Sequence, residues 1–521
     1  MKRRREILDE ILTRESFDVA VIGGGATGIG TALESVLRGY KTVLFERSDF
    51  TKGTSSKSTK LVHGGVRYLA QGDLKLVREA LKERGILLKN APHLVHNQSF
   101  IIPVYTWWDA LLYTIGLGFY DLLSGRYSLG RSLFLRKTKI KKRMPGISDK
   151  ALKGGVLYHD GQFDDSRLAM DLLHAFEEKG GLAINYCGVS NLIKDANNKI
   201  SGVEVKDMES GSSYKIQSRT VINATGVWVD EVLSMDVPEH RKLIMPSQGI
   251  HLVINRDFLP GDHALMIPKT SDGRVLFAVP WHDHLVVGTT DTPMKESSEE
   301  PVALEKEIQF ILDTASAYFN AKVQRKDVLS IFAGLRPLAA PKTDTSKTKE
   351  ISRNHKIITS QSGLITVIGG KWTTYRRMAE DIIDAGIKNK LLPASKSISK
   401  QYVLSKNQST TEAGHLSMYG KSQGSVKELI EADPNLGEKL HPEFTYTLAE
   451  LHWICKNEMV VHLEDIMARR LRMLLLNAKI ASDLAEIVAE EIAPLLDWNK
   501  ERVDKEVKDF RSLALKYLPR Q

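Results

Sequence analysis

Three glycines stand where a β-branched run, residues 17–22, gives way to a helical one: Gly23, Gly25 and Gly28 in the stretch GGGATG. A phosphate group needs that pattern for physical reasons. The first glycine permits the tight turn out of the strand, the second lets the backbone approach a pyrophosphate, and the third lets helix and strand pack closely. The start of the helix then points its unpaired N–H groups and the positive end of its dipole at the anion. Glu46 closes the next strand-like run about 20 residues further on, where a carboxylate accepts a ribose 2′-hydroxyl and disfavours a 2′-phosphate. Glycine clusters alone mark ordinary turns. Here strand, glycines, helix, strand and terminal acid agree, and a dinucleotide is the expected ligand. The pattern does not separate NAD from FAD.

These residues need a scaffold. A charged helical lead-in over the first 16 residues precedes a strand at 17–22, a helix at 29–38 and a strand at 42–46. Short connections make this a β-α-β unit with parallel strands and a right-handed crossover. Residues 51–60 are small and polar, a loop, and 74–88 has helical period. From about 155 to 225 strands alternate with one helix at 165–179, and 245–295 and 355–368 are strand-like. Past a Pro/Ser/Lys stretch near 391–410 the chain becomes helical, with amphipathic segments at 481–496 and 500–517.

The chain has 521 residues, enough for about three domains. Hydrophobic residues at 42% and charged residues at 26% exclude a disordered chain. Lys and Arg number 73 against 64 acids, a balance of +9. That suits anionic substrates, phosphate cofactors or a membrane surface, and is too diffuse for a nucleic-acid binder. Two cysteines, Cys187 and Cys455, cannot build a disulfide framework or a cysteine-rich metal site, and fit a reducing compartment such as the cytoplasm. MKRRREILDE lacks the apolar region of a secretory signal, and no apolar run reaches the length of a spanning helix. One segment leaves two readings open. Residues 107–120 are apolar and aromatic, and 126–143 carry eight basic residues and no acid. Together they form either an interfacial anchor or a core helical layer beside an exposed basic loop.

Three further segments narrow the choice: SSKSTKLVHGGVRYL at 55–69, VINATGVW at 221–228 and VIGGKWTTYR at 367–376. With the N-terminal unit they resemble the FAD-dependent glycerol-3-phosphate dehydrogenases, a group of the amino-acid-oxidase-like flavoproteins. The likeness runs from about residue 16 to the C-terminus and takes in YHDGQFDDSR at 158–167, GTTD at 288–291, GLRPL at 334–338 and EDIMARR at 464–470. It implies an α/β fold: a Rossmann-type FAD-binding domain in three parts (1–90, 151–240 and 341–395), a discontinuous α+β substrate domain (cap helices at 91–150, sheet at 241–340) and a C-terminal all-helical domain (400–521). It implies FAD held by Gly23, Gly25, Gly28, Glu46, Ser55, Ser56, Thr59, His63, Ala224, Gly226, Gly369, Gly370 and Lys371. The residues agree with that assignment. The Ala224-Thr-Gly226 turn has no bulky side chain to keep a flat ligand away. Thr373 or Thr374 could cap the helix after Gly370, whose start would stabilise negative charge on a reduced flavin.

By the same resemblance the substrate is glycerol 3-phosphate, anchored by Arg67, Tyr68, Arg336, Arg353, Lys371 and Thr373. A phosphate calls for guanidinium or ammonium donors in a fixed arrangement. Oxidising a secondary alcohol needs a base, and histidine titrates near neutrality. His251 matches a family histidine beside the flavin. His63 is the second candidate for the base, or a wall of the FAD site, and Arg336 completes the expected catalytic set. No metal and no nucleic acid are expected. The resemblance further implies electron transfer to a membrane quinone, from a chain lying in the cytoplasm or on the cytoplasmic face of the inner membrane, with a homodimer among the arrangements allowed. Rival readings are an oxygen-using glycerol-3-phosphate oxidase, a flavin oxidase of amino or 2-hydroxy acids, and a flavin-dependent RNA-modifying protein.

Overall fold

A computed structural model describes residues 1–70, 72–270, 273–340, 355–404 and 414–519; the side chains of Arg67 and Ala70 also lie outside the described set. Phe17–Ile22 forms the central strand of the first sheet, with Val19, Ala20 and Val21 fully buried. It pairs in parallel with Thr42–Phe45 on one side and Ser213–Asn223 on the other. Beyond these lie Leu182–Ile184 and Ile365–Ile368, again parallel, and Lys356–Thr359 closes one edge antiparallel. A parallel sheet needs both faces covered, which is why its strands read as near-continuous apolar runs. The helix Ala26–Leu37 packs on this sheet between Tyr375–Lys388 and Asp165–Glu178. It begins at Ala26, not at 29, because the glycines that resemble a loop in sequence already form its cap.

The second sheet has ten strands and is mostly antiparallel. Its site-bearing part is Ile244–Asn255, flanked by Val328–Ala339 and His284–Gly288. The strand Gly154–Phe163, within the 151–240 stretch, pairs in this sheet with Val95–Val104, and the chain then returns to the first sheet through Asp165–Glu178. Alternating apolar residues, Ile250, Leu252 and Ile254, turn one face of Ile244–Asn255 into a second core with Ile308, Ile311 and Leu312.

From His415 onward the described chain is helical, including Leu448–Asn457, a π-helical turn at Asp465–Arg470 and the long helix Lys500–Ala514. These helices share one continuous core with the first sheet. Buried ion pairs also cross that junction. Arg167 and Glu458 form a two-pronged pair at 2.8 and 2.6 Å. Leaving one such partner alone would cost several kcal/mol, so the pair fixes how the parts dock more than it adds stability.

Candidate active site

A cavity of about 410 Å³ runs from the C-terminal ends of the parallel strands to the second sheet. That is where open α/β sheets bind their ligands. At one end Gly23 has φ +106°, and a Cβ there would lie 2.8 Å from the Ala224 carbonyl oxygen. A Cβ on Gly28 would lie 1.8 Å from the Gly23 carbonyl oxygen, so the third glycine serves the packing of helix on strand and not the cavity wall. Gly25 caps the helix, and the Ala26 N–H donates to Ser55 Oγ at 2.9 Å.

Glu46 lines the same end. Its carboxylate accepts from the Gly24 N–H at 2.6 Å and the Ser48 N–H at 2.9 Å, and burial pushes its pKa up. Each oxygen thus has one backbone donor and room for another, so the group can take ribose hydroxyls while holding the glycine turn in shape. Ala224 and Gly226 continue the wall. The cradle, the helix start and the acid fit the adenosine and pyrophosphate of a dinucleotide.

At the far end Gly369 (φ +74°) and Gly370 (φ +115°) turn the chain out of Ile365–Ile368. Lys371 follows, its ammonium 4.0 Å from the centre of the Tyr68 ring. A 3₁₀ turn, Trp372–Thr374, leads into the helix Tyr375–Lys388. Neither Thr373 nor Thr374 caps that helix with its side chain; Thr374 occupies the cap position, but its hydroxyl donates back to the Lys371 carbonyl oxygen at 3.4 Å. The tight turn supplies the entry that a side-chain cap would otherwise give.

The second sheet closes the cavity, and its register explains how. His251 pairs with Phe332, Gly249 with Gly334 and Ser247 with Arg336, so these residues alternate onto one face. The His251 ring stacks on Phe332 with centroids 4.8 Å apart. Gly249 leaves room for the Arg336 guanidinium, since a Cβ there would stand 2.4 Å from Nη2, while the facing Gly334 leaves room for Lys57, 3.0 Å from a Cβ at that position. Arg336 donates to the Thr290 carbonyl oxygen at 2.9 Å and to Thr289 Oγ1 at 3.1 Å, with Asp291 at 3.6 Å.

His251 is buried, its Nε2 2.9 Å from Thr59 Oγ1. Its Nδ1 is buried without a hydrogen-bond partner among the described residues. Burial, then the charges of Arg336 and Lys60, hold its pKa well below 6.5, so the ring is neutral at pH 7.

His63, Tyr68, Ser55, Thr59, Lys371 and Thr373 join Arg336 and His251 on the walls of this one cavity. Ser56 is buried behind it, its carbonyl accepting from Lys60 Nζ at 2.7 Å. Arg67 lies on the short helix Val66–Ala70, its side chain outside the described set, and Arg353 lies outside the described residues. Sequence reasoning passed over Lys60, whose buried ammonium meets both Asp165 oxygens at 2.8 Å and sits 4.8 Å from the Trp281 ring. It also passed over Gly249, although a glycine inside a strand is itself a sign of close approach.

Residues 18–376 match the FAD dependent oxidoreductase family, and residues 360–503 match the C-terminal domain of alpha-glycerophosphate oxidase. The mitochondrial glycerol-3-phosphate dehydrogenase of Bos taurus is 38% identical over 98% of this chain and 74% of its own length. The chain belongs to the FAD-dependent glycerol-3-phosphate dehydrogenase family. The probable mitochondrial member from Caenorhabditis elegans is likewise 38% identical, over 95% of this chain and 73% of its own. Among solved structures, the Bacillus halodurans dehydrogenase complexed with FAD superposes with a TM-score of 0.81 at 28% identity, covering 99% of this chain and 98% of that one. The L-alpha-glycerophosphate oxidase of Mycoplasma pneumoniae shares the fold, with a TM-score of 0.58 at 15% identity over 76% of this chain and 99% of that one. The cofactor of this flavoenzyme is FAD. When bound, FAD supplies a two-electron acceptor that takes a hydride.

Proposed function

We propose that the flavoenzyme oxidises glycerol 3-phosphate to dihydroxyacetone phosphate and delivers the electrons to a membrane quinone. The observation that carries the substrate is that Arg336, Lys371 and a neutral His251 line one cavity, although the three come from different strands and turns. Arg336 presents a fork already held by Thr289 and Thr290, so little ordering is needed when an anion arrives. Lys371 brings a second positive charge. His251 takes the hydroxyl proton: its ring is neutral, and its Nε2 edge lies beside Thr59, which also lines the cavity. The named substrates of the relatives, glycerol-3-phosphate dehydrogenases and a glycerophosphate oxidase, support the same alcohol.

The quinone and the membrane rest on a separate observation. No described helix is long and apolar enough to cross a bilayer. Yet the helix Trp107–Ser124 buries only Ala110, Leu117, Tyr120 and Ser124, leaving Trp108 71%, Ile115 64% and Leu122 74% exposed. Trp107, Leu111, Leu112 and Phe119 extend this exposed face. A contiguous apolar surface of this kind marks an interaction site. Basic side chains flank it: Lys153 lies 5.7 Å from the Trp107 ring, and Arg136, Lys139, Lys142 and Arg143 are exposed nearby in sequence. Apolar face, aromatic edge and cationic flank suit an anionic bilayer surface.

With glycerol 3-phosphate as donor, the enzyme is expected to sediment with anionic vesicles at low ionic strength and to reduce quinone within them. The double variant Leu112→Glu, Ile115→Glu is expected to stay in the supernatant and lose about tenfold or more of vesicle quinone reduction. It should keep its rate with a soluble dye. Stoichiometric peroxide would make the protein an oxidase, and equal sedimentation of the variant would remove the membrane face.

A further inference from the structure

The loop after Thr42–Phe45 has two sides. Its inner side, with Glu46, Thr51 and Lys52, lines the cavity next to the glycine turn. It is tied to that turn twice, by Glu46 accepting from Gly24 and by the Thr51 N–H donating to the Gly24 carbonyl oxygen at 3.0 Å. Thr51 holds φ +63°, a conformation an L-residue keeps only when its surroundings impose it. Its outer side is gripped by the C-terminal helices. Asp49, fully buried, pairs with both Arg469 and Arg470, the latter also through Nη2 at 2.9 Å. Lys52 reaches Glu464 at 2.9 Å, and Glu464 is held in turn by Arg469 at 2.6 Å. The arginines hold the Asp49 carboxyl far below its usual range, and Arg469 with Lys52 hold Glu464 down at about 2, so both acids stay charged at neutral pH.

We infer that the C-terminal helical domain sets how tightly this enzyme holds FAD, by strapping the 46–54 loop into the shape its ribose-facing wall requires. The inference rests on the reading that Glu46 receives the adenosine ribose. Glu464, Arg469 and Arg470 are positioning residues: they contact the loop from behind and act through Glu46, Thr51 and Lys52. The strap joins segments more than 400 residues apart in sequence.

The test measures FAD release from the holoenzyme on dilution, read by the fluorescence of free flavin. Glu464→Gln is expected to speed release about tenfold, because a charged hydrogen bond to the loop is lost. Its kcat at saturating FAD should stay within about twofold of the parent. Glu209→Gln is the comparison. Glu209 meets His462 at 3.2 Å and Arg502 at 3.5 Å, so it loosens the same domain without touching the 46–54 loop. Release from Glu209→Gln should match the parent. Unchanged release from Glu464→Gln, or equal acceleration in both variants, overturns the strap. Glu46→Gln separates this outcome from a failure of the underlying reading: unchanged release there overturns the ribose assignment itself.

Discussion

Changing His251 to Gln is expected to lower kcat by about 10²- to 10⁴-fold, the range carried by a positioned general base, while the protein remains yellow. A glutamine amide can still bond Thr59, so the packing against Phe332 and the wall of the FAD site survive. What it cannot do is accept the hydroxyl proton. The pH dependence has a definite sign. Burial and the charges of Arg336 and Lys60 hold the imidazole pKa well below 6.5. The ring therefore keeps its lone pair through neutral pH, and kcat/KM is flat there. Activity falls only on the acid side, as pH drops through that lowered pKa and the imidazole gains a proton. In His251→Gln this acid limb should vanish. Near-normal turnover in the variant, or an unchanged acid limb, would take the base role away from His251.

The second large effect belongs to Arg336. Arg336→Lys is expected to lower kcat/KM for glycerol 3-phosphate by on the order of 10²-fold, from the loss of a two-pronged charged contact. Lysine keeps the charge but not the planar fork. The bare backbone at Gly249 makes room for the guanidinium, and Thr289 and Thr290 orient its two nitrogens. The informative comparison is with glycerol, which lacks the phosphate. The parent should prefer the phosphorylated alcohol strongly, and most of that preference should disappear in the variant. Equal losses on both alcohols would mean that Arg336 holds the sheet together and does not read the phosphate.

What could be read from sequence follows the range of the interactions involved. The nucleotide cradle is local: strand, three glycines, helix and Glu46 lie within about 30 residues, as in any such β-α-β unit, and each has its own steric reason. The helix start moved from 29 to Ala26 because cap residues look like loop until the first turn is seen. The Thr373–Thr374 cap failed for a similar reason, since a 3₁₀ turn took its place. The place of Arg336 over Gly249 depends on antiparallel register, which a single sequence does not fix. Lys60–Asp165 and Asp49–Arg470 are buried pairs from distant segments, and in sequence each member looks like a surface charge. The apolar run at 107–120 reads as an anchor or, by preference, as a core layer, because composition does not say which face of a helix finds a neighbour. The structure leaves its broad apolar face uncovered.

One alcohol meeting one flavin in this cavity is the reaction that everything else serves. Glycerol 3-phosphate added without oxygen to the yellow enzyme should bleach the flavin absorbance completely, one substrate oxidised per flavin, with dihydroxyacetone phosphate recovered in equal amount. A flavin that keeps its colour with glycerol 3-phosphate and bleaches with an amino acid or a 2-hydroxy acid would contradict it.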